Sequence, residues 1–113
     1  MIEIYHNPRC GKSRACLLFV EESGKEFQTI KYLENPPSVA ELTDIIRKLH
    51  IRPIALVRQK EKIWIDIFKN KVLSDAEIIQ AMASNPILIE RPIVINGEKA
   101  VIARPFDKAN DII

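Results

Sequence analysis

The apolar stretch Ile2 to Tyr5 predicts a short strand, and Leu17, Leu18 and Phe19 lie within a helix from Ser13 to Ser23 that Gly24 can close with a left-handed cap. Phe27 to Tyr32 has the β-branched and aromatic content of a second strand, which Glu34-Asn35-Pro36-Pro37 ends. Ser38-Val39-Ala40-Glu41 is a capping-box sequence, and Val39, Leu42, Ile45, Ile46 and Leu49 behind it share one helical face. Pro53 to Arg58 and Trp64 to Phe68 fit either short helices or irregular turns. A second capping box, Ser74-Asp75-Ala76-Glu77, leads into Ile78, Ile79 and Met82 and predicts another amphipathic helix. Arg91 to Ile95 and Ala100 to Ala103 read as two strands around an Asn96-Gly97 hairpin turn, and Asp107 to Ile113 as a short terminal helix.

The order is β-α-β, then helices, then a hairpin and a last helix. It predicts an α/β protein with a thioredoxin-like fold, a mixed sheet and a helical segment inserted in the middle. At 113 residues, without repeats or a linker, residues 1–113 are expected to form one domain with a modest core. Trp64 and the stripe Leu42, Ile45 and Leu49 are core candidates. Seventeen basic and fifteen acidic side chains leave a net charge of +2, which gives no reason to expect a nucleic-acid or membrane partner. No apolar run approaches a membrane span, and the N-terminus lacks a signal-like pattern, so a cytoplasmic protein is expected. Two cysteines are too few for a disulfide scaffold or a structural zinc site; a reducing compartment and no bound metal are expected.

Cys10 changes the picture, because it stands where the first strand hands over to the first helix. Unpaired N–H groups and the positive end of the helix dipole favour a thiolate or a bound oxyanion at such a place. Spacing removes several chemistries. Gly11-Lys12-Ser13 resembles the end of a phosphate-binding P-loop, but His6 stands where that motif needs its first glycine. A phosphatase loop would need arginine at the position of Cys16, and a dithiol oxidoreductase would need cysteine at Ser13. Six residues along a helix rise about 9 Å, beyond the roughly 7 Å Cα separation of a disulfide, so Cys10 and Cys16 cannot pair without unwinding. Cys16 is expected in the core, Ser13 as a helix cap, and any thiol that resolves Cys10 from outside the chain.

Three segments together carry a resemblance. They are Ile4 to Arg14, with His6-Asn7-Pro8-Arg9-Cys10-Gly11-Lys12-Ser13-Arg14 at its centre; Tyr32-Leu33-Glu34-Asn35-Pro36-Pro37; and Asn85-Pro86-Ile87-Leu88-Ile89-Glu90-Arg91-Pro92-Ile93-Val94. From Ile4 to about Pro105 the chain is similar to the glutaredoxin-dependent arsenate reductases of the ArsC/Spx-like family. The resemblance implies Cys10 as the nucleophile toward arsenate or a similar oxyanion. It implies Arg58, Arg91 and Arg104 as oxyanion-holding arginines, glutathione as co-substrate and glutaredoxin as partner, with no tightly bound cofactor. It also implies His6 as an imidazolium that helps ionise Cys10, and a cis peptide at Arg91-Pro92. Physical chemistry agrees with such a set: attack of a thiolate on an anion is slow unless cations and N–H donors offset the repulsion, and guanidinium groups bind two oxygens at once.

Other readings stand beside these. His6 can instead satisfy a backbone group, and Gly11, Lys12 and Arg14 flank the site, the two cations fitting either anion steering or plain solvation. The end at Ile113 precedes that of longer well-known arsenate reductases, and Lys12 replaces a smaller polar residue, both of which suggest a short branch of the family. One alternative function is an Spx-like regulator that binds RNA polymerase, against which Ser13 breaks the C-x-x-C switch. Another is a glutathione-linked reductase of a different substrate.

Overall fold

The computed structural model describes residues 1–113, which fall into two compact units. The first comprises Met1–Asn35 and Arg91–Ile113 and carries a four-stranded sheet. Its strands are β1 (Ile2–His6), β2 (Phe27–Lys31), β3 (Ile93–Asn96) and β4 (Lys99–Ile102), in the order β2-β1-β3-β4. β1 runs parallel to β2 and antiparallel to β3, and β3 and β4 form an antiparallel hairpin, giving the expected mixed sheet of a thioredoxin-like fold.

Helix α1 (Gly11–Glu22) connects the parallel pair. Cys16 and Val20, one turn apart, pack with Ile2 and Ile4 of β1, Val94 of β3, Ala103 and Ala109 in the core of this unit. Ala109 belongs to a 3-10 helix over Phe106–Asp111, shorter than the terminal helix expected from Asp107 to Ile113, and Phe106 sets its ring 5.4 Å from that of Phe19. Gly24 closes α1 with φ +75°, the left-handed conformation its position required.

Two local readings need correction. α1 starts at Gly11, so Cys10 rather than Ser13 is its N-cap and Ser13 lies inside the first turn. In the hairpin Asn96 pairs with Lys99, so the two-residue loop is Gly97-Glu98 rather than Asn96-Gly97. Only Gly97, at φ +62°, is left-handed there, the pattern of a type II′ turn with glycine first.

The second unit, Pro36–Glu90, is the helical segment inserted in the chain. α2 (Val39–Leu49) and α3 (Asp75–Ser84) each begin with a complete capping box, on Ser38 and Glu41 and on Ser74 and Glu77. α2 buries Leu42, Ile45 and Ile46, while α3 buries Ile78, Ile79, Ala81 and Met82. Val39, in the first turn of α2, stays exposed, and Leu49 is half-buried. The ambiguous stretches become a 3-10 turn over Pro53–Leu56 and a π-helical turn over Trp64–Phe68, in which Lys69 N–H reaches back to the Trp64 carbonyl at 2.9 Å. Trp64 is buried as expected. No helix of either unit is long and apolar enough to cross a membrane.

Candidate active site

The end of β1 and the start of α1 are joined by a tightly bonded turn. Cys10 N–H donates to the Asn7 carbonyl at 3.0 Å, the Asn7 Oδ1 accepts from Arg9 N–H at 3.0 Å, and Arg14 Nη1 donates to the Pro8 carbonyl at 3.0 Å. Ser13 anchors this turn from below. It is fully buried, its Oγ accepts from Asn7 N–H at 3.0 Å, and it shares a 2.6 Å hydrogen bond with His6 Nδ1. Asn7, Pro8 and Ser13 thus hold the backbone that presents Cys10; the Asn-Pro pair is a turn signal that the sequence reading did not use.

Cys10 sits half-buried at the N-cap with extended backbone, φ −94° and ψ 122°. Burial pushes its pKa up, but the backbone N–H groups of Ser13 and Lys12 and the charge and hydrogen bond of the Arg91 guanidinium outweigh that. The net result is a thiol below its ordinary value. The neutral thiol makes no capping hydrogen bond, so these N–H groups act by solvating the thiolate. Cys16 is the opposite case: fully buried in α1, with desolvation raising its pKa to about 11. Cys10 and Cys16 are not joined in a disulfide.

His6 departs from its expected role. It is buried, and desolvation, with Lys31 and Arg14 adding like charge, holds its pKa below the ordinary imidazole value. The lowered pKa disfavours the imidazolium that the resemblance implies, and the ring is bonded to Ser13.

Arg91 reaches Cys10. It precedes a cis bond to the buried Pro92, as expected, and a second cis bond joins Arg104 to Pro105. Arg104 Nη1 donates to the Arg91 carbonyl at 3.2 Å, so Arg104 supports the segment that carries Arg91. Arg58 belongs to the second unit, where an antiparallel bridge between Val57 and Ile89 fixes its backbone. There its guanidinium donates to the Ile87 carbonyl at 3.2 Å and pairs with Glu61 at 2.8 Å. Lys12 is exposed at the helix start, as is Arg14, whose guanidinium is engaged with Pro8. A Cβ on Gly11 would make ordinary van der Waals contact with Arg14 Nη2, at 3.6 Å. The site of the first unit is therefore a thiol of lowered pKa, two backbone N–H groups and one guanidinium, a set that can attack an electrophile and hold an oxyanion beside it.

Comparison with known proteins gives a consistent set of matches. The family model described as the ArsC family matches residues 5–112. A Neisseria meningitidis protein named arsenate reductase is 38% identical over 114 residues, spanning 99% of this chain and 97% of its own. One of the same name from Haemophilus influenzae is 41% identical over 112 residues, covering 97% of each chain. The solved structure of an arsenate reductase from Vibrio cholerae superposes with a TM-score of 0.95 at 40% identity, over 99% of this chain and 97% of that one.

Proposed function

The chain belongs to the ArsC family, and from that membership we propose that it is an arsenate reductase working through the single nucleophile Cys10, with glutathione and glutaredoxin as the source of electrons. The observation that carries this reading is the Cys10 thiol itself, held below its ordinary pKa by the Ser13 and Lys12 N–H groups and by Arg91. The relatives named arsenate reductase over nearly their whole length support the substrate.

In the proposed cycle the Cys10 thiolate adds to arsenate with loss of water, forming a sulfur–arsenic bond. Arg91 and the N–H groups at the start of α1 offset the charge of the oxyanion as the two anions meet. Arg104 holds the Arg91 segment in place. A glutathione thiol then attacks the adduct. Its sulfur joins that of Cys10 as a mixed disulfide, the arsenic keeps the electron pair of the broken sulfur–arsenic bond, and arsenite leaves. Glutaredoxin takes the glutathione off Cys10. All electrons come from thiols, so no tightly bound cofactor is needed, and a reducing cytoplasm would supply the donor. His6 acts as a neutral positioning residue through Ser13.

The test is arsenate-dependent oxidation of NADPH by the purified protein with glutathione, glutaredoxin and glutathione reductase. Wild type is expected to turn over, Cys10→Ser to be inactive and Cys16→Ser to keep most of the rate. Absence of turnover in folded, reduced wild type would move the reading to a different oxidised substrate.

A further inference from the structure

The parallel strands β1 and β2 end side by side, with His6 opposite Lys31. The two loops that leave them, residues 7–10 and 32–35, flank a cleft of about 370 Å³. Pro8 and Leu33 give it apolar surface, and Arg9, Lys31 and Glu34 give it two positive charges and one negative. All three charged side chains are exposed, and none is tied up in an ion pair. Ligands of open α/β sheets bind outside the carboxyl ends of parallel strands, which is where this cleft lies. One of its walls is the turn that delivers Cys10.

Cys10 has no partner thiol inside the chain, because Cys16 is sealed in the core. Whatever resolves a Cys10 adduct must bring its own sulfur. Building on the reaction proposed above, we propose that this cleft binds the resolving thiol, and that the thiol is a small zwitterionic peptide carrying two carboxylates and one ammonium group. Arg9 and Lys31 receive the carboxylates, Glu34 receives the ammonium, and Pro8 and Leu33 pack against the peptide backbone. The volume falls in the roughly 300–1,000 Å³ range of small-molecule sites, the size for a short peptide rather than for a docked protein. The pattern of two cations and one anion is complementary to glutathione, the probe chosen here.

The experiment leaves arsenate out. The Cys10 thiolate attacks one sulfur of oxidised glutathione, a Cys10–glutathione disulfide forms, and the second glutathione leaves as a thiolate; the rate is read by intact-protein mass spectrometry. Hydroxyethyl disulfide, which is neutral, and dithiodiglycolate, which carries two carboxylates but no peptide, are run in parallel. Wild type is expected to prefer oxidised glutathione over both. Lys31→Glu should slow that reaction by about tenfold or more, the scale of one lost charge-assisted contact. It should leave hydroxyethyl disulfide unchanged and affect dithiodiglycolate far less, while Lys31→Arg keeps most of the wild-type rate. Alkylation of Cys10 by iodoacetamide should be the same in all variants. The proposal is overturned if wild type shows no preference for oxidised glutathione, or if Lys31→Glu slows dithiodiglycolate or iodoacetamide as much as it slows oxidised glutathione. Lys31 would then act by its field or on the thiol itself. Arsenate turnover is scored separately, so either reading can fail while the other stands.

Discussion

A thiol at a helix N-cap is pulled two ways, and at Cys10 the stabilising side wins because a guanidinium adds to the backbone N–H groups. Arg91→Lys keeps the charge but loses the fork, so kcat/KM for arsenate should fall by roughly a hundredfold, the scale of removing one oxyanion donor. Near-normal turnover in that variant would remove Arg91 from the chemistry. Cys16 allows a prediction of the opposite sign. Its folded pKa of about 11 lies above the ordinary thiol value, so the unfolded chain loses that proton first as pH rises. Its contribution to stability is intact below the ordinary thiol pKa and declines above it, at up to about 1.4 kcal/mol per pH unit until the folded pKa is reached. Urea unfolding of Cys16→Ala should therefore show a shallower alkaline loss than wild type between about pH 9 and 11. Parallel curves for the two proteins would contradict the assignment. At this scale the sequence pointed to Cys10 and Cys16, since a thiol between strand and helix and a cysteine on an apolar helix face have local signatures, whereas Arg91 was named only through the family resemblance. The sequence could not reveal the charge state of His6, which depends on Lys31 from the neighbouring strand and on burial. Nor could it reveal that Ser13 anchors the turn, which follows from where α1 begins.

Elements with complete local codes were the legible ones. Both capping boxes formed as read, and Ser38→Ala should lower stability by about 1 kcal/mol, because the N–H of Glu41 loses its acceptor and the reciprocal bond from Ser38 N–H to Glu41 loses its frame. Thermal or urea unfolding checks it; an unchanged midpoint would mean the cap contributes nothing in this context. Where the code was incomplete, neighbours decided. The stretch from Trp64 to Phe68 has apolar residues at positions that suit several backbones, and it becomes a π turn with the Trp64 and Phe68 rings 5.5 Å apart. In the hairpin the register of β3 on β4 moved the turn by one residue, because Asn96 is used as a paired strand residue and glycine alone takes the left-handed position. α1 started before its apolar pattern, since Gly11 and Lys12 carry no side chain that the core needs.

For the whole molecule, the site is a product of topology. Cys10 belongs to the first segment of its unit and Arg91 to the second, with the entire helical unit Pro36–Glu90 between them in the chain. The thioredoxin-like class was readable from the order of elements, but the meeting of these two side chains required β1 and β3 to pair. The depressed thiol pKa is accordingly a property of the fold: its stabilising contribution is present above the unfolded thiol value and is lost as pH falls through the folded one. The most direct measurement is the thiolate absorbance near 240 nm as a function of pH, taken as wild type minus Cys10→Ser, in buffer and in denaturing urea. The account predicts a Cys10 midpoint below the ordinary thiol range in the native protein that returns to that range when the chain unfolds. A native midpoint equal to or above the unfolded one would contradict it.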